Sequence, residues 1–239
     1  MPYKSYFNWS GGKDSALALY HALQDKHYSI DRLLTNVNGH HRRISMHGVR
    51  EELLDVQAAS IGLPLQKILL PEEPTMAEYE QQMMETMKQF KAEGFTHSFF
   101  GDIFLEDLKN YRQQQLARLG VQACFPLWKR NTMQLMHEFI DFGFKAIVVC
   151  IDSRVLDQSF AGRILNREFL KDLPAGVDPC GENGEYHSFV FDGPIFKEPV
   201  KFEKAENVFR EYKAPGNTND QNFNQQPSSI GFWFTELYD

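Results

Sequence analysis

The chain lacks most of the features that would set it apart from an ordinary globular protein. Its 239 residues include three cysteines, Cys124, Cys150 and Cys180, far apart in sequence. They form no CxxC pair and no zinc spacing, so neither a disulfide framework nor a structural zinc site is expected. An odd number of thiols reads as free cysteine in a reducing compartment. Basic charge is short too: 25 Lys and Arg against 32 Asp and Glu leave a formal charge of −7. Nucleic-acid binders usually carry a basic footprint, so a nucleic-acid partner is not expected. Long apolar runs are missing. The longest, Ala146 to Ile151, has six residues, whereas a membrane helix needs about 20. No apolar stretch in Met1 to Trp9 is long enough for a signal peptide. The expectation is a cytoplasmic protein with no membrane contact.

What is present suffices for a sizeable core, since 42% of the residues are hydrophobic. Short apolar runs alternate with amphipathic stretches, which indicates an α/β protein with a parallel sheet. Strands are expected at Tyr3–Trp9, Asp31–Val37, Leu65–Leu70, Thr96–Phe100, Lys145–Ile151 and His187–Phe191. Helices are expected at Lys13–Asp25, Val49–Ile61, Ala77–Glu93 and Ile103–Leu119, and from Asn131 to near Gly143. Gly62 is a plausible C-cap and Asn131 a plausible N-cap, with Gln134 placed to support it. In the third helix Tyr79, Met83, Met87 and Phe90 form a stripe. Such a stripe either packs on the sheet or lines an adaptable groove, and packing is the simpler reading. The composition divides the chain into residues 1–126, a smaller α/β unit at 127–198 that would bind substrate, and an extension at 199–239. Ala214 to Ser229 is rich in Asn, Gln, Pro and Ser and reads as a flexible linker. The apolar tail Ile230 to Phe234 either docks on the chain, packs as a strand or meets another subunit, which leaves a homodimer open.

The chemistry concentrates in Ser10-Gly11-Gly12-Lys13-Asp14-Ser15, between a strand and a helix. Two glycines allow a tight turn that presents N–H groups to an anion. The helix beginning there points its positive end the same way. Ser10 and Ser15 add hydroxyls and Lys13 a full charge. Asp14 repels phosphate unless Mg²⁺ bridges the two or the carboxylate orders the loop. The pattern GxxxxGK[ST] is absent, so this is not a Walker A loop.

SGGKDS resembles the PP-loop of the N-type ATP pyrophosphatases. That resemblance implies a Rossmann-like HUP fold and cleavage of ATP to AMP and pyrophosphate. Gly101-Asp102-Ile103, Pro126-Leu127-Trp128 and Pro179 to His187 (PCGENGEYH) narrow it: together they resemble the diphthine–ammonia ligase family, in the form of its bacterial members, over about Tyr3 to Phe196. The implied reaction joins ammonia to a carboxylate, in that family one on a modified histidine of translation elongation factor 2. The segment after GDI departs from the family's Tyr-Gln-rich pattern, and Arg112 stands one position from the family's arginine. The substrate therefore carries over less securely than the chemistry.

Lys13 and Asp14 are the catalytic candidates in the loop. Ser10, Gly11, Gly12, Lys13, Asp14 and Ser15, with Ser45, His47, Gly101 and Asp102, are the candidates for binding ATP. Ser-Met-His-Gly at 45–48 resembles the family's nucleotide-proximal segment. Asp14 and Asp102 are the candidates for Mg²⁺, and Asp102 could equally cap the helix after it. Glu182 and Glu185, three apart in a glycine-rich loop, either hold or deprotonate ammonium or are solvated turn residues. The basic stretch His40 to Arg50 reads as a solvated loop at the sheet's carboxyl edge. Cys180 reads as loop packing, with a catalytic thiol the weaker reading. At this length no glutaminase domain is expected, so free ammonia is the nitrogen source. Two readings stand beside the ligase: an RNA-thiolating enzyme on the same ATP chemistry, and a nucleotide-binding module without turnover.

Overall fold

A computed structural model describes residues 1–44, 48–72, 74–213 and 229–239. The first half runs β1 (Tyr3–Asn8), α1 (Lys13–Gln24), β2 (Tyr28–Asn38), β3 (Arg43–Ile44), α2 (Glu51–Ile61), β4 (Leu65–Leu70), α3 (Met76–Ala92), β5 (His97–Phe99), α4 (Glu106–Ala117) and β6 (Gln122–Cys124). β4, β2, β1, β5 and β6 lie side by side in that order, every pair parallel. The two-residue β3 pairs antiparallel with Val37 and Asn38 at the end of β2. The order reverses direction beside β1, as in a Rossmann-like doubly wound sheet, and ligands bind such sheets at the carboxyl ends flanking that reversal.

Alternation along β1 explains how one strand serves two cores. Phe7 faces α1 and α2 with Leu17, Leu19, Leu53 and Leu54. Tyr6 faces the other way, into a cluster with Leu34, Phe90, Phe95, Phe100 and Leu116. Helix ends follow their expected signals. Gly62 closes α2 at φ +83, its N–H donating to the Ala58 carbonyl. Asn131 caps α5 (Thr132–Asp141), accepting from the Gln134 backbone N–H.

The second half builds a four-stranded antiparallel sheet in the order β8-β7-β10-β9. Its strands are β7 (Lys145–Asp152), β8 (Tyr186–Asp192), β9 (Glu203–Lys213) and β10 (Ser229–Tyr238), with α6 (Arg167–Asp172) between β7 and β8. The expectation of an extension at 199–239, outside the second unit, is corrected here: β9 and β10 supply two of that sheet's four strands. β9 escapes a sequence reading because Glu203, Lys204, Glu206, Arg210 and Glu211 break its apolar pattern, as charges do on an edge strand. Phe234 and Leu237 of β10 are buried, so the tail is a packed strand. The linker expected at 214–229 lies, but for Ser229, outside the described residues. Among the described residues no helix is long and apolar enough to cross a membrane.

The two sheets meet at the loop after β1. The Gly11 carbonyl accepts from the Val190 N–H of β8 at 2.9 Å and from Gln57 Nε2 of α2 at 3.1 Å. The same Gln57 amide donates to the Val190 carbonyl at 2.6 Å, and its Oε1 accepts from Trp9 Nε1 at 3.0 Å. Gln57 is fully buried. Gln57→Leu would therefore strand the Trp9 indole N–H and the Val190 carbonyl. Unpaired buried polar groups cost about 1–3 kcal/mol each. The expected outcome in denaturant titration is a loss of about 2–4 kcal/mol, and an unchanged midpoint would contradict the clamp.

Candidate active site

A cleft of about 620 Å³ opens at the carboxyl ends of β1, β2 and β5, roofed by residues of the loop before β8, Glu182 and Gly184 among them, and by Tyr186, His187 and Ser188. Its shape begins with two glycines. Gly11 has φ +77, and a Cβ there would sit 2.8 Å from Gln57 Oε1. At Gly101 a Cβ would come within 3.0 Å of the Asp14 carbonyl carbon and the Ser15 nitrogen. The absence of side chains lets the end of β5 abut the start of α1. Gly12 stands at the N-cap of α1 with no side-chain cap. The positive end of the helix is thus left for a ligand anion. Ser10 Oγ accepts from the Gly12 N–H and Ser15 Oγ from the Ser10 N–H. Both hydroxyls order the loop with their oxygens and keep a proton to donate.

Lys13 is only 4% exposed. Its backbone N–H donates to Ser188 Oγ at 3.2 Å, and its Nζ lies 2.6 Å from Asp14 Oδ2. Burial alone would lower its pKa. The Asp14 carboxylate, aided by Tyr186, Cys180 and Glu182, outweighs burial and holds the ammonium above its usual range. For Asp14 burial raises the pKa, and the Lys13 charge offsets part of that rise. In this state Asp14 is the counter-ion of Lys13.

Two more carboxylates face the same space. Asp102 pairs with Arg112. Burial lifts its pKa, Arg112 opposes, and the like charge of Asp14 adds to the lift. Glu182 is pushed up to about 8, first by burial and then by Asp14, against the pull of Lys13. A carboxyl titrating there is a candidate acid or base near neutral pH.

Glu185 has a different place from the one expected beside Glu182. It is buried and does not line the cleft. Its oxygens accept from the Asp178 N–H, the Asn183 N–H and Asn183 Nδ2, all at 2.9–3.0 Å. Burial would raise its pKa, but these hydrogen bonds hold it below the usual value. Glu185 shapes the loop that presents Glu182. Cys180 is buried, its Sγ 3.4 Å from the Thr132 carbonyl, and burial lifts its pKa well above the thiol range. Such a thiol is unreactive. His187 lines the cleft, and burial together with Lys13 lowers its pKa to about 4, so it is neutral at pH 7.

Ser45 and His47 lie outside the described residues. The flanking basic residues are engaged in the fold: Arg42 pairs with Glu51, Arg43 with Glu236 at 2.6 Å, and Arg50 lies over the Tyr238 ring. Sequence reasoning missed Asn36, whose buried Oδ1 has no hydrogen-bond partner among the described residues although the residue lines the cleft at the end of β2. It also set Arg112 aside. The α3 stripe does both things weighed for it: Phe90 and Met87 are buried in the second cluster, while Tyr79, Met83 and Met87 line the cleft.

The donor set suits a nucleotide with a divalent cation. An uncapped helix start and a buried ammonium are groups suited to phosphate. Asp14 and Asp102, the first adding its negative charge to the burial that lifts the second, suit Mg²⁺, which binds through one or two carboxylates plus phosphate oxygens. Among the described residues, the one group of His, Cys, Asp and Glu whose ligand atoms all lie within 4.8 Å is the exposed His40, His41 and Glu72. The cleft carboxylates are therefore not a closed cage.

Carboxyl ¹³C NMR of the free protein should show one glutamate titrating near pH 8, and Glu182→Gln should remove that signal. Asp14→Asn, which deletes a like charge and frees Lys13, should move the midpoint down. A midpoint in the ordinary carboxylate range in the unsubstituted protein would refute this electrostatic picture.

The family model for the diphthamide synthase N-terminal domain matches residues 3–123, and that for the diphthamide synthase C-terminal domain matches residues 131–216. The diphthine–ammonia ligase of Danio rerio is 27% identical over 226 residues, 83% of this chain and 86% of its own length. That of Homo sapiens is 25% identical over 86% of this chain and 85% of its own. A solved structure described as a predicted subunit of tRNA methyltransferase from Methanocaldococcus jannaschii aligns over 60% of this chain and 77% of its own, with a TM-score of 0.37 and 17% identity. With both family models matched in order along the same polypeptide, this chain belongs to the diphthamide synthase family.

Proposed function

We propose that the chain is an ATP-dependent amide-forming ligase that joins ammonia to a carboxylate and releases AMP and pyrophosphate. The observation that carries this reading is the convergence of Lys13, Asp14, Asp102 and Glu182 on one cleft at the start of α1. The adenosine end of ATP lies toward the end of β2, where the buried Asn36 Oδ1 is an acceptor with no partner among the described residues. The phosphates lie on Ser10 to Ser15. Asp14 and Asp102 would hold Mg²⁺, which would supply neutralising charge to the phosphate oxygens.

In the first step an oxygen of the acid attacks the α-phosphorus, and the bond to the β-phosphate oxygen breaks. Pyrophosphate leaves with Lys13 and the loop N–H groups against its developing charge. In the second step the ammonia nitrogen attacks the acyl carbon and the bond to AMP breaks. The nitrogen must shed a proton, and Glu182, with a pKa near the working pH, is the group to accept it. Glu185 and Asp178 hold the loop in place for that transfer. Diphthine, as on elongation factor 2, is the acid named for the relatives and the first to test. The reading places the enzyme in the cytoplasm; a homodimer would use the exposed Phe209 and Tyr212 of β9.

With ATP, ammonium and the acid, AMP and pyrophosphate should appear in equal amounts with the amide. Lys13→Ala should lower kcat by about 10²–10³-fold, the usual effect of losing a transition-state donor. Cys180→Ala should change turnover by less than about twofold, because its thiol is buried and protonated. Steady release of ADP would sink the mechanism, and loss of activity in Cys180→Ala would favour thiol chemistry instead.

A further inference from the structure

The carboxyl edge of the parallel sheet carries a second group of polar side chains, outside the cleft. β2 ends at Asn38, and the chain turns through Gly39, His40 and His41 toward β3. β4 ends at Leu70, two residues before Glu72. The Asn38 side chain holds both segments. Its Oδ1 accepts from the His40 and His41 backbone N–H groups at 3.1 and 3.0 Å, and its Nδ2 donates to the Glu72 carbonyl at 3.0 Å. The Gly39 N–H donates to the Leu70 carbonyl at 2.8 Å, and a Cβ on Gly39 would stand 3.1 Å from that oxygen. The turn is thus fastened at its root to the end of β4.

This placement brings three metal-ligating groups together. His41 Nε2 lies 3.2 Å from Glu72 Oε1, and His40 Nε2 lies 3.9 Å from Glu72 Oε2. Ligand atoms of all three residues lie within 4.8 Å of one another. Ligands on a tetrahedral Zn²⁺, at bond lengths of about 2.0–2.1 Å, stand about 3.4 Å apart. Small side-chain rotations therefore close the cluster around an ion. The two rings are crossed at 82° rather than stacked, which lets both aim a nitrogen at one carboxylate. Neighbouring cations are engaged elsewhere: Arg42 with Glu51, Arg43 with Glu236 and Lys67 with Asp55. Among the described residues the Glu72 carboxylate meets the two imidazoles alone. All three side chains are more than half exposed, so an ion reaches them without opening the fold.

We propose that His40, His41 and Glu72 form a surface Zn²⁺ site, separate from the ATP cleft. Two imidazoles and a carboxylate are a donor set for zinc, with water in the fourth position. Mg²⁺ prefers all-oxygen surroundings and is disfavoured here. The ion ties the turn after β2 to the segment after β4. Asn36, which lines the cleft, stands two residues before Asn38 on β2. The tie therefore stiffens the rim of the cleft on that side.

Calorimetric titration of the untagged full chain with zinc chloride tests the site. One equivalent should bind with a Kd in the micromolar range or tighter, and excess Mg²⁺ should not displace it. His41→Ala and Glu72→Gln should each weaken binding by at least about tenfold, since losing a group that merely orients a ligand already costs about 10–100-fold. Both positions are exposed, so the variants should keep the circular dichroism of the unsubstituted chain. His27→Ala, which removes another exposed imidazole, should leave the affinity unchanged. So should Asp102→Asn. Co²⁺ in place of zinc should give visible d–d bands without the charge-transfer band of a thiolate ligand. Binding no tighter than millimolar, or binding indifferent to His41→Ala and Glu72→Gln, would overturn the proposal. Loss of binding in Asp102→Asn would put the ion in the cleft, and a thiolate band would put it on a cysteine; either result overturns it as well.

Discussion

The double hydrogen bond to the Gly11 carbonyl is the contact on which the rest of the molecule depends. One donor comes from β8 of the antiparallel sheet and the other from Gln57 on α2 of the parallel sheet. A glycine loop is entropically costly to order. Here the cost is offset by buried hydrogen bonds that both sheets supply, and by the Lys13 N–H bond to Ser188. The loop keeps its left-handed turn at Gly11 because Gln57 fills the space a side chain would need. The anion site is therefore a junction between two sheets and belongs to neither alone.

Electrostatics at that junction follow from burying three carboxyls beside two cations. Asp14, Asp102 and Glu182 face a cleft that Lys13 and Arg112 only partly neutralise. Burial raises the pKa of all three carboxyls, and like charge from neighbouring carboxylates adds to it. A bare polyphosphate would deepen the imbalance, whereas the charge of Mg²⁺ would offset part of it at Asp14 and Asp102.

Much of this was legible in the sequence. The strand-to-helix setting of SGGKDS, the caps at Gly62 and Asn131 and the buried run of β7 are local patterns, and local patterns survive into the structure. What was hidden depends on partners distant in the chain. β9 is an edge strand whose charges imitate a surface loop, and only its pairing with β10 reveals it. Glu182 and Glu185 look alike in sequence. Their roles separate because Asn183 and Asp178 turn their N–H groups toward one and leave the other facing the cleft. Arg112 acquires meaning only when α4 brings it to Asp102, ten residues earlier and at the end of a strand. The α3 methionines look like core because helical periodicity marks a face and cannot say that part of that face borders a cavity.

The same strand that clamps the phosphate loop also carries the loop bearing Glu182. β8 begins at Tyr186, directly after Glu185, and reaches the Gly11 carbonyl with Val190, four residues on. Glu182 and Lys13 are therefore held in register by a short extended segment with its backbone paired to β7. A hinge motion separating the two sheets would have to break the Val190, Gln57 and Ser188 bonds together, at a buried site where water cannot replace them. The distance between the phosphate loop and the proposed base is consequently set when the chain folds, before any ligand binds. Freedom to adapt is left to the other side of the cleft, where Met83 and Leu105 are incompletely buried and α3 and α4 touch through the hydrogen bond that the Tyr111 hydroxyl donates to Glu80. A fixed reaction centre beside an adaptable wall is the arrangement expected of a fold that keeps one ATP chemistry while the acid it serves changes.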